Sequence, residues 1–256
     1  MSHRFSDHDP HAGHDTGGVP WSGRTLTGTG FDGDTGSADA VLAELLAAPG
    51  GERDERAIVA AVAKARLIVP IVAVPGEIDV SSGIPVDATS DMASVTLVAP
   101  DGQRALPAFT STHSLVTWNA EARPVPVTAQ RAALAAVQEG CDVIPLDLPV
   151  PPGTAAFTLR ASMVWALAMA RSWEPAHEDE HVAEALRRAV RAEDAVRGHA
   201  LAGGPEGELQ LTLAVAPGLT QDELQQLLTR VGERLATDGE TRARIDALAF
   251  RIVPAP

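Results

Sequence analysis

From residue 37 onward, apolar side chains recur at helical spacing. Val41, Leu42, Leu45 and Leu46 share one face of a helix over about 37–48, and Pro49-Gly50-Gly51 ends it. Ala57, Ile58, Ala61, Val62 and Ala65 form the stripe of a second helix over about 54–66. The period then changes. Residues 67–74 are continuously apolar and predict a strand, with a loop over 76–91 after it. Pro70 removes a ladder donor from that strand, which places it at a sheet edge or on a bulge.

Residues 92–98 and 104–109 read as a hairpin, because Asp101-Gly102 between them tolerates the positive φ of a tight turn. Thr110 or Ser111 then caps a short helix reaching Trp118. A Pro-flanked strand over 123–127 leads to an Ala-rich helix, which Thr128 caps and Gly140 ends. Strands follow over 141–146 and 157–160. The segment 161–170 is apolar nearly all round, so it is buried or lies against another surface.

Trp173-Glu174-Pro175 reads as a domain joint. Beyond it a helix over about 178–191 and a strand over 196–201 are expected. Leu209, Leu211, Leu213 and Val215 alternate with Gln210, Thr212 and Ala214, the mark of a half-buried strand. Thr220-Gln221-Asp222-Glu223 is a capping box, and its helix carries Leu224, Leu227, Leu228, Val231 and Leu235 on one face. Leu248, Phe250 and Ile252 alternate in a closing strand. The whole predicts an α+β fold: a domain over 37–172 with a mixed sheet and flanking helices, and a smaller α+β domain over 176–256. Residues 1–36, rich in His, Asp, Gly and Thr, hold too few apolar groups to offset ordering entropy and read as a disordered tail.

Composition narrows the function classes. The net charge is -14, and the basic residues are scattered among acids, with Lys64 the only lysine. Such a surface disfavours nucleic acid, and a basic partner protein or simple solubility accounts for it. No stretch is long and apolar enough to span a membrane, and the polar start is not a secretory signal, so a cytoplasmic location is expected. The single cysteine, Cys141, precludes an internal disulfide and reads as a buried inert thiol.

Candidate chemistry fares poorly in context. His177-Glu178-Asp179-Glu180-His181 matches the zinc-hydrolase pattern H-E-x-x-H, which needs two histidines one helical turn apart and a glutamate activating water. Pro175 just upstream makes this a helix start, where acidic residues complement the dipole, and no third ligand stands at a recognisable spacing. His177, Glu178 and His181 therefore remain only an alternative metal site. Gly28-Thr29-Gly30-Phe31-Asp32-Gly33 matches a dinucleotide fingerprint but no strand precedes it. Asp15-Thr16-Gly17 and Asp34-Thr35-Gly36 echo aspartic proteases in a tail that lacks rigid, buried loops. His3, His8, His11 and His14 belong to a solvated tail. Ser111 with His113 suggests a nucleophile, yet capping accounts for Ser111 and no G-x-S-x-G elbow exists. Phe109, Trp118 and Trp165 read as core aromatics, and any of them left exposed would mark a contact surface.

One run is distinctive: Leu106-Pro107-Ala108-Phe109-Thr110-Ser111, followed by Leu115 and Trp118. Arg66-Leu67-Ile68-Val69-Pro70 precedes it, and Gly140-Cys141-Asp142-Val143-Ile144-Pro145-Leu146 follows. Together these resemble the SseB (enhanced serine sensitivity) family over about 38–150, and the second half is similar to that family's C-terminal module. The resemblance implies no catalytic residue and no cofactor. The expectation is a non-catalytic protein acting through an unidentified protein partner, with no nucleic acid and no membrane. Its contact surface would involve Phe109, Thr110, Ser111 and Trp118, with the apolar helix over 161–170. A small-metabolite sensor with its ligand between the domains is a further alternative.

Overall fold

Asp39 accepts a hydrogen bond from the Leu42 amide and so starts α1 (Ala40–Ala47). Asp54 does the same for α2 (Glu55–Val62) through the Ala57 amide, after a 3-10 turn at Gly50–Glu52. Both helices are shorter than their apolar stripes suggested. Leu42, Ile58, Val59 and Val62 face inward, whereas Val41 is exposed. The chain is described by a computed structural model covering residues 30–74, 91–149, 156–205 and 207–255. The histidines of the tail, Asp15-Thr16-Gly17, the start of the Gly28–Gly33 motif and the expected loop over 76–91 fall outside those residues, the loop save for Asp91. Residues 36–256 form one compact unit; of residues 1–35 the described part holds a turn closed by the Asp34 amide on the Phe31 carbonyl.

β1 (Arg66–Val74) runs through the middle of an antiparallel sheet, between β2 (Asp91–Ser94) and β5 (Arg123–Thr128). Its central place corrects the edge position expected from Pro70. Ile68 exchanges both backbone hydrogen bonds with Phe109, at 2.8 and 2.9 Å, so even-numbered residues of β1 point away from β5. Pro70 faces Pro124 in a pair that makes no ladder bond on that side, and its carbonyl still accepts from Val95. A proline thus costs the central strand one donor on the β2 side.

The expected hairpin also divides. Asp91–Ser94 pairs with β1, whereas β3 (Leu97–Val98) pairs with β4 (Arg104–Ala105) around Gly102, whose φ of 88° only glycine adopts freely. The chain after β4 is held by isolated bridges from Ala105 to Val143 and from Ala108 to Leu146. Ser111 caps α3 (Thr112–Trp118) and Thr128 caps α4 (Ala129–Gln138), as the sequence predicts. β6 (Ile144–Pro145) and β7 (Thr158–Leu159) form a short pair leading into α5 (Ala161–Ala168). Met163, Val164, Ala166 and Leu167 of α5 are buried with Leu42, Val62 and Leu106 in the larger apolar core. Cys141 is buried there too.

The second half starts with α6 (Glu180–Arg191), followed by β8 (Val196–Gly203) and β9 (Leu209–Val215). Burial along β9 alternates as its sequence predicts. α7 (Gln221–Thr237) opens with both bonds of the Thr220–Glu223 capping box and buries Leu227, Val231 and Leu235. After α8 (Gly239–Ala243), β10 (Leu248–Pro254) lies parallel to β9, giving the order β10-β9-β8. These elements surround a second apolar core made by Leu186, Leu211, Leu213 and Val231 among others. Buried Glu193 accepts from Arg230 and Arg234, tying the end of α6 to α7. The fold is α+β. No helix among the described residues is long and apolar enough to cross a membrane.

Candidate functional site

The distinctive run is consumed by the scaffold. Phe109 is fully enclosed, and its ring centroid lies 5.3 Å from that of Trp118. Thr110 is buried, and Asp147 binds it twice, accepting from the amide at 2.8 Å and from the hydroxyl at 2.7 Å. Asp147 itself sits in the left-handed region, φ 53°, and donates its amide to Ala108. Arg66 donates to the Thr110 carbonyl from the start of β1. Ser111 Oγ accepts from the Ser114 amide and bonds the Ser114 hydroxyl, while His113 is exposed. The Ser111/His113 pairing is therefore not formed. Of the expected contact residues, Phe109 and Thr110 are buried, and Ser111 and Trp118 are half-buried. In the 161–170 segment Ala161 and the last turn are open, with Met169 52% exposed.

The H-E-x-x-H residues are dispersed. α6 begins at Glu180, so His177 and Glu178 precede the helix, and the two histidines are not one turn apart on it. Asp179 is the N-cap; it accepts from the His181 amide and from Arg244. Glu178 pairs with Arg56, and His181 Nε2 lies 3.4 Å from Asp238. No group of three His, Cys, Asp or Glu among the described residues is placed to hold a metal ion. His177, Glu178 and His181 therefore do not share one helix: α6 starts three residues after His177, whereas the hydrolase spacing needs the helix from His177 onward.

Among the described residues, two large hollows lie elsewhere, and neither is lined by Phe109 or Trp118. The first, about 510 Å³, lies where the Gly50-Gly51 turn, Arg160, Trp173 and His177 meet the Gly203–Gly207 loop and Asp246. Arg160 organises it. Its guanidinium donates to both Glu55 oxygens, at 2.6 and 2.8 Å, and through Nε to Asp246 at 3.0 Å. Asp246 also accepts the Ser162 amide and hydroxyl, and Trp173 donates its indole N–H to the same hydroxyl. Hydrogen bonding to Glu55, above all, raises the Arg160 pKa further above its ordinary value, so this cation is permanent and already satisfied. Gly207, at φ 83°, passes so close that a Cβ would lie 2.5 Å from the guanidinium carbon. Nothing in the sequence marks this web, because Arg160 stands 105 residues from Glu55 and 86 from Asp246.

The second hollow is an open groove of about 650 Å³ between α2 and the end of α5. Buried Val59 and Leu167 lie beneath it, and exposed Ala60, Ala63 and Ala170 form its walls. Arg56, Lys64, Arg171 and Glu174 supply its charged rim.

The family model for the SseB protein N-terminal domain matches residues 39–166. The chain belongs to the SseB family. No curated protein and no solved structure matches it at a significant level. The SseB match ends inside α5, so it spans the first apolar core except Leu167 and Trp173, and the whole Leu106–Trp118 run. It also includes Glu55 and Arg160 of the web, whereas Asp246 comes from the segment beyond it.

Proposed function

We propose that this SseB-family chain is a non-catalytic cytoplasmic protein that works by docking a partner protein, as an adaptor or regulatory scaffold. The α2–α5 groove carries the reading. Its apolar floor and open walls are left uncovered by the described residues, whereas the residues of the family run are spent on packing, capping and backbone ties. The single buried cysteine agrees with a reducing compartment. A small-ligand sensor is the second reading, favoured by the cleft at Arg160. It ranks lower because the cleft's charged groups already satisfy one another.

The test compares the wild-type chain with Ala60→Trp, which fills the groove from an exposed position on α2. A defined partner retained from lysate by the wild type, at low and moderate salt, and lost from the variant is the expected result. Identical retention by both, or none by either, counts against docking here.

A further inference from the structure

We infer that the chain forms a weak, reversible twofold dimer by pairing β8 with β8 of a second copy. The backbone argues first. β8 is an edge of the sheet β10-β9-β8. The Gly204 amide donates to the Glu208 carbonyl at 2.8 Å, while the Leu209 amide donates the other way, to Ala247 beside β10. Alternation sets the rest: Gly198, Ala200 and Ala202 bond to β9, and His199 and Leu201 turn their N–H and C=O groups outward. No bond among the described residues takes those groups up. Other edges are blunted. β2 has 4 residues, β5 carries Pro124 and Pro126, and β10 is exposed only at Arg251 and Pro254. β8 has a bulge at Arg197 but no proline, lysine or acid, and Arg197, His199, Ala200, Ala202 and Gly203 are exposed. An edge of that kind is a template for another strand.

The charges select a second copy as that strand. Residues 195–205 hold no acid in a chain of net charge -14, so two copies repel little along this line. Arg197 is exposed and makes no ion pair among the described residues. At the other end of β8 the Glu208 carboxylate fills the space where Gly204 has no side chain. An antiparallel pairing centred on Ala200 brings these ends together twice. Arg197 of each copy falls opposite Gly203 of the other, beside the other's Glu208. The same register sets His199 opposite Leu201, makes about four backbone hydrogen bonds and places two methyl groups on the twofold axis. Centring on His199 would set two imidazoles against each other and move Arg197 to Leu201, away from the carboxylate. A foreign strand would need a cation and a carboxylate at matching ends, whereas a second copy brings both by symmetry. The line is short, so the dimer is weak.

Sedimentation velocity over a concentration series tests this, with a Kd between about 1 μM and about 1 mM expected for the wild type. His199→Pro removes one outward donor and no bond to β9, so it is expected to abolish the dimer with the circular dichroism spectrum unchanged. Arg197→Glu and Glu208→Arg are each expected to weaken the dimer about tenfold or more, because each places like charges at both ends. Mixed in equal amounts, those two variants are expected to dimerise again. The introduced glutamate of one then faces the introduced arginine of the other, and the native pair survives at the opposite end. Should His199→Pro fail to fold, this mixture decides. A wild type that stays monomeric throughout, or a dimer that a folded His199→Pro leaves intact, overturns the β8 interface. Charge variants that dimerise like the wild type, or a mixture that stays monomeric, overturn the pairing centred on Ala200.

Discussion

Thr110 shows how a residue that looks functional can be structural. Its hydroxyl and amide are both held by one carboxylate, from a residue 37 positions away. Thr110→Val keeps the shape and the amide bond but removes the hydroxyl donor to Asp147. A hydrogen bond to a charged acceptor sets the scale, and partial exposure of Asp147 lets water replace some of it, so a loss of about 1–2 kcal/mol is expected. Urea unfolding measures it, and Thr110→Ser should recover most of the stability. A Thr110→Val variant as stable as wild type would remove the carboxylate tie from the account of this segment. The caps at Ser111, Thr128 and Thr220 were legible because each acts on an amide three residues ahead. Asp147 was not, because nothing near it in the chain announces Thr110.

At the level of elements, prolines do work that their local rule misjudges. The rule that a proline marks an edge or a bulge put β1 at one of these, yet β1 is central and β5 is an edge strand. Register resolves the conflict. Pro124 and Pro126 face Pro70 and Ile68, so on β5 they fall at positions whose amides would point outward from the sheet. They remove two of that edge's outward donors and so protect it from pairing with another chain. Replacing both with threonine restores two outward N–H groups and raises β propensity. The double variant is expected to self-associate at concentrations where the wild type does not, measured by sedimentation velocity. Unchanged sedimentation would mean that something other than the prolines guards this edge.

Across the whole molecule, Arg160 joins what the sequence suggested were separate parts. Glu55 lies at the start of α2, Arg160 before α5 and Asp246 before β10, so one guanidinium ties both apolar cores together. Arg160→Met keeps volume and removes the charge, leaving two partly shielded carboxylates facing each other. Because the three side chains are 14–35% exposed, a loss of about 2–3 kcal/mol is expected, below that for a fully buried pair. Calorimetry should show a lower melting temperature and a transition that broadens or splits as the halves uncouple. One sharp transition at the wild-type temperature would show that apolar packing alone joins them.

Local order could be read from the chain itself. Apolar spacing, alternation in β9, the capping box and the glycine turn each depend on neighbours within a few residues, and the structure contains all of them. The α+β class and the family run follow from the same short-range signals. Tertiary structure alone decided which strand lies at the centre, that Asp91–Ser94 leaves the hairpin for β1, and that the H-E-x-x-H histidines part company. It also placed Lys64 on an apolar groove and Arg160 between Glu55 and Asp246. The physical reason is one of range: caps and periodicity act through bonds closed along the chain, whereas pairing and ion webs depend on which distant segments share space once the apolar cores close.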